Sequence, residues 1–243
     1  MSVSTMFSAC FLLFAMTLSI NAEEIKLTAT DGKPIFGTFT AAKANNDKIV
    51  LLFHQARSNR HEYDTVAPVI NKAGFDTLAI DQRSGGPMWG EVNQTVEAAG
   101  KSTEYAEAYP DLQAAVDWAV SKKYKTIITV GSSYTAALNF HLAKKNSDHI
   151  TAMASFSPGE YLGKDLSVAK AARGLKLPVY VTSGSQSDEL QRADDILKNA
   201  NIKQLTRHRP KTGVHGASTL RKDRNPKGYQ ENLTHFMQFL NSL

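Results

Sequence analysis

The sequence predicts an α/β architecture: one mainly parallel, twisted sheet with helices on both faces, preceded by a β-hairpin. Three observations predict it. Short apolar runs alternate with helical segments of about 10–15 residues, the signature of parallel strands joined by crossover helices. Several of those runs are continuously apolar, as a strand buried on both faces requires. No shift in composition along the chain marks a second domain.

The elements follow in order. Ile25–Thr30 and Pro34–Thr40 flank Asp31-Gly32 and read as a hairpin. Ile49–Phe53 is a buried strand, and a helix is expected over Arg60–Ala73, closed by Gly74. Phe75–Ile80 is a strand, and Pro110–Val120 a helix with proline in its first turn. Thr126–Val130 is a strand and Tyr134–Lys145 a helix whose two terminal lysines suit its C-terminal dipole. Strands at Ile150–Phe156, Pro178–Thr182 and Gln204–His208, with helices at Asp188–Ala200 and Gln230–Leu240, complete the pattern. Residues 81–109 form a long connection rich in Gly, Ser, Asn and Thr. Such a segment is either a functional wall or lid, or a loose insertion.

Composition narrows the class of protein. With 42% hydrophobic and 21% charged residues among 243, the chain is neither disordered nor fibrous nor of low complexity. Beyond the N-terminus no apolar run reaches the length of a membrane span, which excludes a multi-span protein. A net charge of +5 is too small to argue for nucleic acid without a basic motif. Residues 1–22 read as a signal peptide, with an apolar core from Cys10 to Leu18 and a small residue, Ala22, before Glu23-Glu24, although no Lys or Arg precedes the core. The expected protein is therefore exported, periplasmic or secreted, with residues 23–243 as its single domain and no membrane span after processing. Cys10 is the only cysteine, so processing removes every thiol, and with it any disulfide or Cys-ligated metal.

The sharpest chemical signal is Val130-Gly-Ser-Ser-Tyr-Thr-Ala136, where a strand meets a helix. A nucleophile on such a turn needs small neighbours two places to either side, because backbones crowd there. Centring on Ser133 places Gly131 and Thr135 at those positions, whereas centring on Ser132 places Val130 and Tyr134. Ser133 is the better nucleophile, and Ser132 is the alternative as a simple helix cap. A serine needs a base and the base needs an acid. His215, between glycines in Gly213-Val-His-Gly216, is the candidate base. His208 is a weaker one, flanked by Arg207 and Arg209, and His141 lies inside a helix. Asp188, just beyond the strand ending near Thr182, is the candidate acid, with its neighbour Glu189 the alternative and a helix cap the plain reading of Asp188.

In His54-Gln-Ala-Arg-Ser-Asn-Arg60 a backbone N–H, of Ala56 or less readily Gln55, is placed to join that of Tyr134 in an oxyanion hole. Asn59 and Glu62 are spaced as a capping box. His54 and His61 have no third ligand at convincing spacing, so no metal is expected there, and no cofactor is implied. Arg83 and Trp89 are candidate substrate contacts. Between Lys203 and Lys227 eight lysines and arginines stand against Asp223 alone. With Arg57, Arg60 and Arg83 they suggest either a cationic rim that favours anionic substrates or a merely solvated basic face.

Taken together, the Gly131–Thr135 elbow, the His54-Gln55-Ala56 loop, Asp81-Gln-Arg-Ser-Gly-Gly86, Asp111–Trp118 and Val214-His215-Gly216 resemble an α/β-hydrolase of the dienelactone-hydrolase-like group, over essentially the whole chain after the leader. The resemblance implies a serine esterase with triad Ser133, Asp188 and His215, oxyanion donors at Ala56 and Tyr134, and a small-molecule ester substrate. The sequence departs from that group at Gln55, where Gly is usual, at Thr135 in place of the elbow Gly, and in an acid four rather than three residues after Gly184. A non-catalytic binding protein on the same fold is the rival reading, since fold does not determine function.

Overall fold

The computed structural model describes residues 22–43 and 45–243; the predicted leader, Ala22 aside, lies outside them. Eight strands form one sheet: β1 (Ala22–Thr28), β2 (Pro34–Thr40), β3 (Lys48–Phe53), β4 (Asp76–Ile80), β5 (Thr126–Ser132), β6 (Ile150–Phe156), β7 (Val179–Thr182) and β8 (Leu205–Arg207). Their order is β1-β2-β4-β3-β5-β6-β7-β8. The β1–β2 and β2–β4 pairs are antiparallel and every other pair is parallel. The hairpin is thus an extension of the parallel sheet, joined to it through β4.

Among the described residues seven α-helices accompany the strands: α1 (Ala67–Lys72), α2 (Gln94–Ala99), α3 (Tyr109–Ser121), α4 (Tyr134–Lys145), α5 (Val168–Ala172), α6 (Ser187–Leu197) and α7 (Tyr229–Asn241). The sheet divides two apolar cores. Along β3, Ile49, Leu51 and Phe53 pack with Leu112, Leu138 and Leu142 of α3 and α4. Val50 and Leu52 turn to the other face and pack with Ile70 of α1 and Phe236 and Leu240 of α7. Period-two alternation between two dry faces is why the strand reads as an unbroken apolar run. Among the described residues no helix is long and apolar enough to cross a membrane.

Two local features differ from expectation, and a third decides between the two readings of the long connection. The helix expected over Arg60–Ala73 is a 3-10 turn at Arg60–Tyr63 followed by α1, which has Pro68 in its first turn. The capping-box spacing is only half used: the Asn59 side chain accepts the His61 N–H, while the Glu62 carboxylate turns inward to the Gln55 N–H. Residues 81–109 are a packed wall rather than a loose insertion. They contain α2 and a 3-10 turn at Tyr105–Ala108. Asp81 accepts the backbone N–H of Arg60 and of Gln94, and Gly86 N–H donates to the Ser58 carbonyl.

Candidate active site

The site lies at the C-terminal ends of β3, β5, β6 and β7, where four loops converge. At the β5–α4 junction Ser133 has φ 61° and ψ −116°, a conformation a non-glycine residue holds only when its surroundings over-determine it. Here the constraint is steric. A Cβ on Gly131 would sit 2.5 Å from the Thr135 carbonyl oxygen, so the chain turns this sharply only with glycine there. Ser133 N–H is held by the Phe156 carbonyl at 2.8 Å, which ties the turn to β6.

Thr135 explains its own departure from the usual glycine. Its fully buried hydroxyl accepts the Ser132 N–H at 2.8 Å and lies within 3.0 Å of the carbonyls of Phe53, His54 and Ser132. One side chain therefore links the elbow to the loop leaving β3.

Ser133 and His215 meet as the chain order predicts: His215 Nε2 is 2.8 Å from Ser133 Oγ. The carboxylate that reaches His215 is Glu189, not Asp188. Glu189 Oε1 accepts from His215 Nδ1 at 2.6 Å, while Asp188 points outward into an exposed ion pair with Arg192, one helical turn on. Both carboxylates stand in the first turn of α6, and the rotation between successive helical residues sends one to the site and the other to water. Glu189 Oε2 is held by Ser157 Oγ at 2.7 Å and by Gly184 N–H at 2.8 Å. Burial works against its charge. The bonds from His215 and Ser157, the nearby His215 and the Gly184 N–H outweigh that, and hold the carboxyl down to about 2.

Ser132 is fully buried and is structural. Its hydroxyl donates to Glu62 Oε1 at 2.9 Å and accepts the Ala217 N–H at 2.8 Å, pinning the chain just beyond His215. Gly216 follows His215 at φ 69°, and a Cβ there would come within 2.5 Å of Ser132 Oγ, so this approach too requires glycine.

For the oxyanion hole the structure narrows the choice. Gln55 N–H is engaged by Glu62 at 2.7 Å, whereas Ala56 N–H has no partner among the described residues. Tyr134 N–H opens α4, where the helix supplies no acceptor. The loop is braced from below by His54, which is fully buried. Its Nδ1 donates to the Gln55 carbonyl at 2.7 Å and its Nε2 accepts the Gln82 N–H at 2.9 Å. Burial drives its pKa down to about 4, so at neutral pH it is an uncharged strut.

Arg83 is not a substrate contact. It is 2% exposed and donates to Asp111 at 2.8 Å and to Asp31, joining the long loop to α3 and to the hairpin turn. Trp89 is half-buried. Its indole N–H donates to Ser58 Oγ, and its ring carries the guanidinium of Arg221 at 4.1 Å. The cationic rim is partly consumed internally: Arg60 pairs with Asp81 and Glu24, Arg207 and Arg209 with Asp194, and Arg221 with Asp223. The anionic-substrate reading loses these arginines, with Arg83, and keeps Arg57, Arg224 and the lysines.

Glu62 is the residue the sequence reading missed. Fully buried, it joins the oxyanion loop, through Gln55, to the elbow, through Ser132. Burial pushes its carboxyl up to about 7, against the hydrogen bonds from Gln55 and Ser132 and the charges of Arg221 and His215. The ionised form accepts both bonds at once; protonation as pH falls through about 7 turns one of its oxygens into a donor and breaks that pairing. Glu62→Gln is isosteric and permanently neutral. It is expected to lower the kcat plateau roughly tenfold, the equivalent of one pKa unit, and to alter the acid limb of the profile. The check is kcat across about pH 5 to 9; an unchanged plateau and limb would count against this role.

A sharp strand-to-helix turn bearing a strained serine, on a sheet of this order with an N-terminal hairpin, defines an α/β-hydrolase. Residues 44–238 match the family described as serine aminopeptidase, S33, and the chain belongs to that family: it is a serine hydrolase. Solved structures with the same fold include an esterase of Pyrococcus furiosus, 22% identical over 92% of this chain and 93% of its own, with a TM-score of 0.66. A dienelactone hydrolase from Anabaena variabilis is 18% identical over 90% of this chain and 98% of its own, at 0.67. Est1E from Butyrivibrio proteoclasticus, solved with ferulic acid bound, is 16% identical over 87% and 97%, at 0.63. No protein of curated function matches the chain in sequence.

Proposed function

We propose that the protein is an exported esterase that cleaves small carboxylic esters through an acyl-enzyme on Ser133. The observation that carries this reading is the unbroken relay of 2.8 Å from Ser133 Oγ to His215 Nε2 and 2.6 Å from His215 Nδ1 to Glu189. His215 takes the Ser133 proton as Oγ attacks the carbonyl, then delivers it to the leaving alcohol. Glu189 fixes the imidazole tautomer and stabilises the imidazolium. The N–H groups of Ala56 and Tyr134 receive the developing oxyanion. Water then repeats the sequence on the acyl-enzyme and frees the acid.

Ester rather than peptide substrates are favoured by the esterases among the structural relatives. Export is supported by the apolar segment before Glu23 and by a chain without cysteine beyond it.

The test is labelling of the protein by a fluorophosphonate together with turnover of p-nitrophenyl esters and aminoacyl p-nitroanilides. Labelling should map to Ser133, vanish in Ser133→Ala and leave the anilides poorly cleaved. Label retained in Ser133→Ala would overturn the nucleophile, and faster anilide than ester cleavage would overturn the substrate class. A folded protein that neither labels nor turns over would be the binding protein of the rival reading.

A further inference from the structure

Away from the hydrolytic site, three side chains with metal-binding chemistry converge. Glu231 and His235 stand four residues apart on α7 and therefore share one face of it. His208 follows β8 directly. One ligand atom from each lies within 4.8 Å of the others. We propose that His208, Glu231 and His235 form a zinc-binding site that fastens α7 to the chain running from β8 toward His215.

His208 is held ready for that role. Its N–H donates to the Val181 carbonyl at 2.9 Å, and its own carbonyl accepts from Arg207 at 2.7 Å, so the residue is fixed on both sides. Its Nε2 is buried with no hydrogen-bond partner. A buried ring nitrogen left unsatisfied is costly, and coordinating a cation with its lone pair removes the penalty. The His235 ring lies against it, centroids 4.1 Å apart. Two imidazoles stacked with an acid beside them form a set of two nitrogens and one carboxylate oxygen, which suits Zn²⁺ with water as fourth ligand and does not suit Mg²⁺.

A tetrahedral zinc site places ligand atoms about 3.3 Å apart. The buried His208 can stay in place while the exposed His235 and the partly exposed Glu231 close the remaining gap by turning their side chains. The solvent side of α7 gives the ion its entry path. The consequence is mechanical. Asn232, between the two helical ligands, already holds the Thr212 carbonyl at 2.9 Å, three residues before His215. A metal on the same helix turn reinforces that attachment.

The experiment uses untagged full-length protein titrated with Zn²⁺ by calorimetry, with thermal unfolding in parallel. One equivalent of Zn²⁺ is expected to bind and to raise Tm, because a ligand that binds only the folded state stabilises it; Mg²⁺ should do neither. His235→Ala, at an exposed position, should weaken binding at least about tenfold and abolish the Tm shift, with Glu231→Gln weakening it less. His215→Ala should bind Zn²⁺ as the parent does, which separates this site from the hydrolytic one. Absence of stoichiometric binding, or binding that survives both His235→Ala and His208→Gln, would overturn the proposal.

Discussion

His215→Ala is expected to lower kcat for an ester by about ten-thousand-fold to a million-fold while leaving KM and Tm close to those of the parent. The size follows from what the residue does. Without an acceptor 2.8 Å from its hydroxyl, Ser133 must attack with its proton still in place. The residual rate is what the N–H groups of Ala56 and Tyr134 and substrate binding supply alone. The loss corresponds to roughly 5–8 kcal/mol of transition-state stabilisation. The fold should tolerate the change because the His215 side chain is more than a third exposed and, among the described residues, bonds only to Ser133 and Glu189. Steady-state kinetics with a p-nitrophenyl ester, alongside thermal unfolding, checks both halves. A variant that keeps a tenth of the parent kcat would mean that another group takes the proton.

Much of the site was legible because local sterics write it into the sequence. Gly131 and the β5 run before it announce a turn no other pattern needs, and the structure shows the collision a side chain there would cause. The base was legible from order and from its flanking Gly213 and Gly216. The sheet was legible because β3 feeds two cores from alternating positions, which leaves an unbroken apolar string.

What was illegible depends on partners far away in the chain. Arg83 reads as a loop cation, and only the fold reveals Asp111, 28 residues on, and Asp31, 52 residues back. Arg60 reads as a rim cation until Asp81 and Glu24 close around it. Glu62 carries a respectable local reading as a cap, yet one of its two hydrogen-bond partners is Ser132, 70 residues on. A buried carboxylate that serves the site leaves no periodic or spacing signal. His208, weighed only as an alternative base, acquires its neighbours Glu231 and His235 when α7 folds back beside β8.

The acid is the sharpest instance, and it yields the most discriminating pair of variants. Asp188 and Glu189 are adjacent, both acidic and both at the start of α6, so spacing cannot separate them; the helix rotation does. Glu189→Gln is expected to reduce kcat by about a thousand-fold to ten-thousand-fold, because the amide no longer offers Nδ1 the acceptor that holds its proton in place. Ser157 and Gly184 both donate to the same Glu189 oxygen, so the glutamine carbonyl best keeps that position and its amide NH₂ faces His215. That presents a donor to Nδ1 and selects the wrong tautomer. Asp188→Asn, by contrast, removes only an exposed pair with Arg192 and should change kcat less than about twofold, in keeping with the small worth of surface ion pairs. There is a second readout in acid stability. Since the folded carboxyl of Glu189 is held to about 2, below its ordinary value, it contributes stability above pH 4.5 that disappears as pH falls toward 2. Glu189→Gln should therefore flatten the loss of Tm across that window, and Asp188→Asn should leave it in place. A severe Asp188→Asn beside a mild Glu189→Gln would return the acid to Asp188 and require α6 to begin with a different rotation.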